Sequence, residues 1–427
     1  PVDAWYSDAT TALRGYASST VSSRIIFSAG MNARLFAAIA DYPDFHADAN
    51  GQIKKKICLK VSDYRSAWLQ GMQLARKGIW VSEYRVESGL NCGGHAFAAK
   101  GSLIGPILDE FMQRRDELHE KLYEVYAASC EKLGRAIAKV KIAITVQGGV
   151  GTADEHRLLK DYFKVEKVGW GTPFMLVPEA VNLDPEHMEM LCQADGDDVF
   201  LSEASPLGVP FWNLRGSGSE RAREQRIANG RPGVACAKKF LAFDTEFSQE
   251  PICPAAMNYQ KKKLAQLDAR DISTDLRERL RKSILAKACL CVDLGATVTK
   301  VLGIEPKGTA AITPGPNIVN FNRIVSLKEM VQHIYGRVQL IVKNDRAHMF
   351  IRELELYIEH VGRELSDVAL GALEKGEKYF EEVGRNLHSG VEYYRGIAGK
   401  LLAHEKALYL ERLESLKQVL NRLLPQV

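Results

Sequence analysis

The chain has 427 residues, of which 46% are hydrophobic and 26% charged, as in an ordinary globular protein. Its 57 basic and 53 acidic residues nearly cancel to a net charge of +4, so charge predicts binding to neither nucleic acid nor a membrane surface. No run reaches the roughly 18 apolar residues that a membrane span needs, and no signal-peptide pattern is seen. Eight cysteines in so long a chain do not indicate a disulfide framework, so we expect a reducing, cytoplasmic compartment.

The chain opens on Pro1, Val2 and Asp3 without an initiator methionine. We therefore expect a fragment or a processed product. Its length allows two or three hydrophobic cores, one of which could be a barrel of about 250 residues.

Five short apolar runs alternate with helical patterns through the first 180 residues. Strands are predicted at 24–29, 56–61, 79–86, 141–147 and 167–169, and helices at 32–40, 63–77, 103–139 and 153–163. The constant strand–helix order predicts a parallel α/β architecture. In a barrel of this kind the chemistry lies at the carboxyl ends of the strands.

The fourth run, KIAITVQGGVG over 141–151, ends in a cluster of glycines. Gly148, Gly149 and Gly151 let the backbone turn with positive φ and present N–H groups to a ligand. A helix begins directly after them, and its N-terminus could receive a phosphate. A tight strand-to-helix turn without a ligand is the alternative. Asp154 and Glu155, in the first turn of that helix, suit the helix dipole, which favours this role over a catalytic carboxylate pair.

Two further glycine-bearing loops follow predicted strands. Gly93, Gly94 and His95 close the segment after the third strand, and Gly171 and Thr172 follow the fifth strand. Because the carboxyl ends of parallel strands share one edge of a sheet, we expect the three loops to lie on one rim.

Three motifs occur in an order that resembles the nitronate monooxygenase family. They are the loop over 87–95 that ends in Gly-Gly-His, then VQGGVGTADEH, then VGWGTPFMLVPEA over 168–180. Proteins of that family are FMN-dependent TIM barrels, and flavin-type enoyl-acyl-carrier-protein reductases are related to them. The match covers roughly residues 24–180 and implies a (β/α)8 TIM barrel. The later segment DDVFLSEASPLGVPFWNLRG loosely resembles the region after the barrel in enoyl reductase components of polyunsaturated fatty acid and polyketide synthases.

The resemblance implies a catalytic histidine and a set of residues that bind the cofactor. His95 takes the place of the family's active-site histidine, whose imidazole can exchange a proton with the substrate because it titrates near neutral pH. The alternative for His95 is a structural histidine that caps a glycine turn. The implied cofactor-binding residues, most of them around the phosphate, are Gly93, Gly94, Gln147, Gly148, Gly149, Gly151, Gly171 and Thr172.

The resemblance also implies an oxidoreductase in which FMN carries the electrons. Two reactions are open, the oxidation of a nitronate with O₂ and the reduction of an activated alkene, such as an enoyl group, with NAD(P)H. A phosphosugar- or nucleotide-binding barrel of another chemistry is a third hypothesis, since a phosphate-binding turn serves many ligands.

Barrels of this family begin with about three strand–helix units before the one matched here to residues 24–40. Either a separate polypeptide supplies those first strands or the fold is rebuilt without them. We also expect an oligomer. A non-catalytic or assembly role, in which the helical C-terminal region docks a partner, is the alternative to an enzyme.

Four of the cysteines gather in about 55 residues. They are Cys236, Cys253, Cys289 and Cys291. Four converging thiolates bind an iron–sulfur cluster or zinc. The spacing lacks the C-x₂-C signature, and free cysteines are often simply small buried residues, so both interpretations stay open.

The sequence divides into three predicted parts. Residues 1–190 form the C-terminal portion of the barrel, 191–343 a cysteine-containing segment, and 344–427 a helical region. Within the last part, Leu413, Leu416, Leu420 and Leu423 repeat at 3-4-3 spacing. That stripe predicts a helix packed on its own chain or a short coiled coil at a subunit interface.

Overall fold

A computed structural model describes residues 6–28, 30–236, 238–343, 345–401 and 403–425. The chain divides into two compact units. The first comprises residues 1–88, 104–147 and 157–169, and the second comprises 89–103, 148–156 and 170–427. The predicted boundaries after residues 190 and 343 remain predictions. No helix in the described parts of the chain is both long and apolar enough to cross a membrane.

The first unit contains a five-stranded parallel sheet whose strands lie in the order in which they occur along the chain. The strands are β1 Arg24–Phe27, β2 Lys56–Val61, β3 Val81–Glu87, β4 Ala143–Gln147 and β5 Lys167–Gly169. Sequential order arises when every right-handed crossover packs on the same face, as in a barrel, whereas a doubly wound sheet reverses its order. The described residues therefore form a five-stranded sheet with barrel-type order, and they do not form a closed barrel of eight strands.

One face of this sheet is polar. Glu83 on β3 is fully buried, and its carboxylate accepts hydrogen bonds from Thr145 Oγ1 (2.9 Å) and Arg85 Nη2 (2.9 Å). Arg24 Nη1 lies 3.0 Å from the same carboxylate. Burial alone would raise the pKa of Glu83, but these hydrogen bonds and charges lower it to about 2. The carboxylate is therefore ionised and paired.

The opposite face packs against the crossover helices. The side chains of Leu59 and Val86 are completely buried, and α3 Tyr64–Ala75 packs against α4 Ile104–Lys132. A Cβ on Gly71 would lie 2.1 Å from the Tyr84 hydroxyl, so only glycine allows α3 to approach this closely. The other helices of the first 170 residues are α1 Asp8–Ser18, α2 Ala33–Ile39 and α5 Ala153–Asp161.

The strand predictions are confirmed to within two residues at every end. β2 and β5 have the predicted bounds, and β3 begins two residues later than predicted. The first prediction ends on residue 29, which lies outside the described residues. After β5, Gly171 and Thr172 lead into a short 3₁₀ turn, Thr172–Leu176.

The second unit is mainly helical and contains one antiparallel hairpin, β6 Val199–Ser202 with β7 Phe211–Leu214. This hairpin was not predicted from the sequence. Its signal is two apolar runs, VFLS and FWNL, separated by a loop rich in Ser, Pro and Gly. The helices before the C-terminal region are α6 Pro185–Gln193, α7 Gly218–Ala228, α8 Met257–Asp268, α9 Thr274–Ala286, α10 Leu290–Asp293, α11 Ala296–Val301 and α12 Leu327–Ile334.

The C-terminal region is helical, as predicted, and consists of α13 Met349–Ala369, α14 Glu377–Ile397 and α15 Ala403–Leu423. α15 packs on both α13 and α14. Leu413 and Leu420 of the leucine stripe are buried in this packing. The stripe is therefore covered by its own chain, which confirms the first of its two predicted roles.

Candidate functional site

The loops that follow β3 and β5 both contact residues 313–317 (TPGPN), a segment of the second unit. The Gly94 N–H donates a hydrogen bond to Thr313 Oγ1 at 2.7 Å. The Gly315 N–H donates to Thr172 Oγ1 at 3.0 Å. The TPGPN segment thus joins two loops that are about 80 residues apart in the chain.

Gly93 and Gly171, one in each of these loops, differ in the space around them. A Cβ on Gly93 would lie 2.6 Å from the Thr313 carbonyl oxygen and 2.8 Å from the Gly315 nitrogen, so the close approach requires glycine. A Cβ on Gly171 would meet no atom within 4 Å. The side of Gly171 is open, and a ligand or a longer side chain could occupy it.

The third loop, residues 148–151, contacts the same segment through Asn317. The Asn317 side-chain amide donates to the Val150 carbonyl oxygen at 3.0 Å. Arg346 connects both sides of this contact, because its Nε donates to Asn317 Oδ1 (3.1 Å) and its Nη2 donates to the Gly149 carbonyl oxygen (2.8 Å). All three glycine-bearing loops predicted from the sequence therefore contact one short segment.

The first turn of α5 is capped by the protein's own carboxylate. Glu155 Oε2 accepts hydrogen bonds from the N–H groups of Gly151 (2.8 Å) and Thr152 (3.2 Å), and the Glu155 N–H donates to Thr152 Oγ1 (3.1 Å). This reciprocal arrangement is a capping box. The Gly151 carbonyl oxygen accepts from His333 Nε2 at 2.9 Å. The N–H groups of Gly151, Thr152 and Glu155 therefore already have partners within the protein in this conformation.

A buried ion pair fixes this carboxylate. Arg346 lies against Glu155, and the Met349 N–H donates to Glu155 Oε1 at 2.7 Å. Burial alone would raise the pKa of Glu155, but the Arg346 charge and the hydrogen bonds hold it below its usual range. The neighbouring His348 is partly buried, and burial lowers its pKa to about 4. Glu155 is therefore ionised and His348 neutral at physiological pH.

A small polar cavity opens beside Gly149. Its volume is about 190 Å³, and Asn317, Asn320, Arg346 and Arg352 line it. No carboxylate lies in its described lining. The cavity has room for a phosphate-sized anion, and the asparagine amides and the Arg352 guanidinium are the donors that could bind it, since Arg346 is already paired with Glu155.

His95 is held by a hydrogen bond and by aromatic contacts. Its Nε2 lies 2.7 Å from Ser205 Oγ, and its ring packs edge-on against Phe211 with a centroid separation of 5.0 Å. Burial lowers the pKa of His95 below its ordinary value of 6.5, so the ring is mainly neutral at pH 7. Within the described part of the chain, Nδ1 forms no hydrogen bond, and this nitrogen remains for a ligand.

The residues after His95 line a larger cavity of about 620 Å³ in the second unit. Phe97 and Tyr379 give it apolar surface, and Arg279, Lys287 and His360 give it polar and basic groups. Lys287 Nζ donates to the Glu203 carbonyl oxygen, and burial lowers the pKa of Lys287. Glu203, Glu364 and Asp367 also line it, and Arg279 is paired with Glu203 and Asp367. The size and mixed lining suit a polar organic substrate without favouring an anionic one.

The remaining implied cofactor residues lie at the end of β4. Gln147 is the last residue of β4, in the first unit, and its side-chain amide donates to the Glu87 carboxylate. Glu87 also lies 3.1 Å from Lys60 Nζ. Gly148 has a φ of 121°, a conformation that only glycine adopts readily. The side chains of Gln147, Glu87 and Lys60 form a polar cluster, and its contact with a flavin ring remains a prediction.

A group that the sequence analysis did not single out is Asp184, Glu186 and His187, whose ligand atoms lie within 4.8 Å of one another. Both nitrogens of His187 are used, because Nδ1 lies 2.8 Å from Asp184 Oδ2 and Nε2 accepts from the Gly218 N–H at 3.1 Å. Lys300 lies 3.8 Å from Asp184 and 3.9 Å from Glu186. The group is neutralised and hydrogen-bonded by the protein, as expected of a helix cap rather than a metal centre.

Comparisons with known proteins assign no family. No family model and no curated protein sequence matches the chain. Among solved structures, it is similar to the enoyl reductase domain of MlnA from the macrolactin biosynthesis cluster of Bacillus amyloliquefaciens, with 14% identity, 74% of each chain covered and a TM-score of 0.42. A likeness this distant assigns neither a fold nor an activity.

Proposed function

We propose that this chain carries the phosphate-binding part of an FMN-dependent oxidoreductase. The observation that carries the proposal is the contact of all three glycine-bearing loops with the TPGPN segment. The same three loops carry the motifs that resemble nitronate monooxygenases and flavin-type enoyl reductases. Motifs scattered over about 80 residues are expected to meet if they bind one ligand.

In this proposal the FMN phosphate lies against Gly149 and against the open side of Gly171 and Thr172. The cavity beside Gly149 supports the first contact because Arg352 and three asparagine amides line it and no carboxylate does. The empty space at the Gly171 Cα supports the second. The N–H groups of Gly151 and Thr152 do not take part, because the Glu155 carboxylate already accepts their hydrogen bonds. When bound, FMN supplies the electron transfer.

His95 is proposed to hold or move the proton of the reaction. Its ring is fixed through Nε2 by Ser205, and Nδ1 is the nitrogen that would face the substrate. A neutral imidazole can accept a proton from a nitroalkane, the conjugate acid of a nitronate. Once protonated, it can donate a proton to the carbanion that forms when hydride adds to an activated alkene. The 620 Å³ cavity beside Phe97 would hold the substrate, a small or acyl compound, and NAD(P)H would be the reductant in the second reaction.

A second candidate is a non-catalytic subunit or assembly protein. The observation that favours it is the capping of α5 by Glu155, which fills the helix N-terminus that phosphate-binding turns usually leave free. In that case the helical C-terminal region would serve as the docking element. A separate polypeptide that supplies further barrel strands, and an oligomeric assembly, belong to the enzyme proposal.

The test is the flavin content of the protein purified in its native complex, with every chain retained. We expect absorbance near about 450 nm, as for any oxidised flavin, and release of about one FMN per chain on denaturation. Mass spectrometry of the intact particle identifies co-purifying chains in the same preparation. A complete, flavin-free particle that also fails to bind added FMN would contradict the proposal and favour the second candidate.

A further inference from the structure

We propose that Cys236, Cys253, Cys289 and Cys291 bind an iron–sulfur cluster of the [4Fe–4S] class. All four belong to the second unit, and all are free thiols. Clusters of this class are held by four cysteine thiolates. The inference does not rest on the proposed flavin function, since none of the four residues belongs to the glycine-bearing loops.

Backbone pairing brings the first two cysteines together. Val234 and Ala256 form a parallel bridge, in which the Val234 N–H donates to the Ala255 carbonyl oxygen at 3.1 Å and the Met257 N–H donates to the Val234 carbonyl oxygen at 2.9 Å. A Cβ on Gly233 would lie 2.7 Å from the Met257 backbone, so glycine is required for this approach. The pairing holds the half-buried Cys236 against a small core that contains Cys253, Ala255 and Ala256.

The other two cysteines stand at the start of a short helix. Cys289 is the N-cap of α10, and Cys291 lies in its first turn. The Gln260 side-chain amide on α8 donates to the Lys287 carbonyl oxygen at 3.2 Å, which ties the residues before α10 to the helix that follows Cys253. Two segments distant in sequence, 234–257 and 287–293, are thereby joined.

The four thiols lie close enough to one another to interact electrostatically. Burial raises the pKa values of the Cys253, Cys289 and Cys291 thiols, in the case of Cys253 to about 11, and the charges of the other thiolates raise them further. This effect of charge is found for all six possible pairs among the four cysteines. Four thiolates this close together repel one another when no metal is bound. Iron would bind the four sulfurs as the thiols release their protons, and its positive charge would remove this repulsion.

Backbone N–H groups face three of the four sulfurs, and they lower the pKa values of those thiols against the larger effect of burial. Such N–H groups would donate to cluster-bound thiolates, and hydrogen bonds to the sulfurs help to set the properties of an iron–sulfur cluster. The pairs, with the donor first, are Ala255 with Cys253, Val292 with Cys289 and Leu241 with Cys291.

The spacing of the sulfurs is wider than a zinc site requires. Tetrahedral zinc with Zn–S bonds of about 2.3 Å places its sulfurs about 3.8 Å apart. Among the described residues, no three of these cysteine sulfurs all lie within 4.8 Å of one another. A multi-iron cluster, whose thiolate ligands bind at separate iron atoms, fits a wider group of four.

The test is anaerobic reconstitution of the full chain with equal amounts of ferrous and ferric iron and with sulfide, followed by desalting and by iron and sulfide analysis. We expect about four iron and four sulfide per chain and a broad absorbance near about 400 nm. Cys236→Ala and Cys291→Ala should each retain less than about one iron per chain. Cys192→Ala is the matched control, since Cys192 is half-buried like Cys236 and Cys291 but lies outside the group, and it should load like the unmodified chain.

Circular dichroism of each apo variant shows whether a loss of iron reflects a loss of fold, and the two alanine variants give the answer independently. Retention of less than about one iron per folded unmodified chain would overturn the proposal. So would equal loading of the Cys291→Ala and Cys192→Ala variants. The proposal would also be overturned, in favour of a zinc site, if the chain retained one zinc in the presence of a chelator and if this zinc depended on the same four cysteines. Because the variants spare the glycine-bearing loops, their FMN content reports separately on the flavin proposal.

Discussion

Arg346 donates two hydrogen bonds to the carboxylate of Glu155, from Nη1 to Oε1 at 2.6 Å and from Nη2 to Oε2 at 3.0 Å. The two side chains are 191 residues apart in the chain and only 9% and 1% exposed. The carboxylate closes the start of α5, and the guanidinium ties that start to the TPGPN segment through Asn317. The ion pair therefore organises the candidate phosphate site without being exposed to solvent.

Removal of the guanidinium should be strongly destabilising. Arg346→Met leaves the Glu155 carboxylate buried without its counter-ion, and we expect a loss of about 3–5 kcal/mol in the free energy of unfolding. Urea denaturation of the variant measures it. Arg346→Met combined with Glu155→Gln should recover part of the loss, because no buried charge then remains.

The exposed ion pair between Lys100 and Glu382 is the matched control. Their nitrogen and oxygen atoms are 2.8 Å apart, but the side chains are 57% and 40% exposed. Lys100→Met should cost less than about 1 kcal/mol. If Lys100→Met and Arg346→Met lowered the free energy of unfolding equally, burial of the pair between Glu155 and Arg346 would make no difference to stability.

His348 should make the fold sensitive to acid. Burial lowers its folded-state pKa from 6.5 to about 4, so the unfolded chain binds this proton more readily than the folded chain. The stability that depends on neutral His348 is fully present above about pH 6.5. It is lost as the pH falls towards 4, which lowers the free energy of unfolding by at most about 3 kcal/mol. Glu155, whose folded pKa is lowered, adds a further loss as the pH falls through that lower value.

The matched variant is His348→Asn. The Phe350 N–H donates to His348 Nδ1 at 3.2 Å, and the asparagine side-chain oxygen can accept the same cap hydrogen bond without titrating. Thermal unfolding at pH 7 and pH 4.5 should show a smaller drop for the variant than for the unmodified chain. An identical drop would assign the acid sensitivity to other groups.

The hydroxyl of Thr313 should contribute to stability through the loop of Gly94. Thr313→Val keeps the shape but removes the acceptor of the Gly94 N–H, and an unsatisfied N–H costs about 1–3 kcal/mol. Thr299 is the control, since its hydroxyl only bonds back to the Ala296 carbonyl oxygen within α11. Thr299→Val should cost less than about 0.5 kcal/mol by urea denaturation, and a similar cost for both would remove the special role of the TPGPN contact.

His95 should matter for turnover and not for flavin content. His95→Gln should lower the rate of either proposed reaction about 10²- to 10⁴-fold, while bound FMN stays unchanged. Because burial lowers the pKa of His95, the rate that depends on its neutral form should fall only below pH 6.5. Oxygen uptake with an alkyl nitronate and NAD(P)H oxidation with an enoyl thioester are the two assays. If His95→Gln kept more than about half the rate in the assay in which the unmodified protein is active, His95 would be a structural residue.

The strands of the first unit could be predicted from the sequence because a buried parallel strand is a continuous apolar run closed by glycine. KICLKV gives β2 with its observed bounds. The hairpin of β6 and β7 was missed because each strand has only four residues, which is too few for a clear period.

The three glycine loops were predicted as loops, but the segment that joins them was not assigned a role. Thr313 bonds to Gly94 across 219 positions, and Asn317 bonds to Val150 across 167. Contacts of this range depend on the packed tertiary structure and leave no local pattern. Glu155 was correctly predicted to suit the helix start, whereas its partner Arg346 has no sequence signal.

The most direct measurement is the affinity of the full native assembly for FMN and for riboflavin, which lacks the phosphate, with Gly171→Asp as the variant. The open space at Gly171 can hold the aspartate, whose charge should repel the phosphate. Gly399→Asp is the control, because a Cβ on Gly399 also meets no atom within 4 Å. We predict that FMN binds at least about 100-fold more tightly than riboflavin, and that Gly171→Asp removes at least about tenfold of this preference, or 1.4 kcal/mol, while Gly399→Asp leaves it unchanged. Equal affinities for FMN and riboflavin, or no effect of Gly171→Asp, would contradict a phosphate site at these loops.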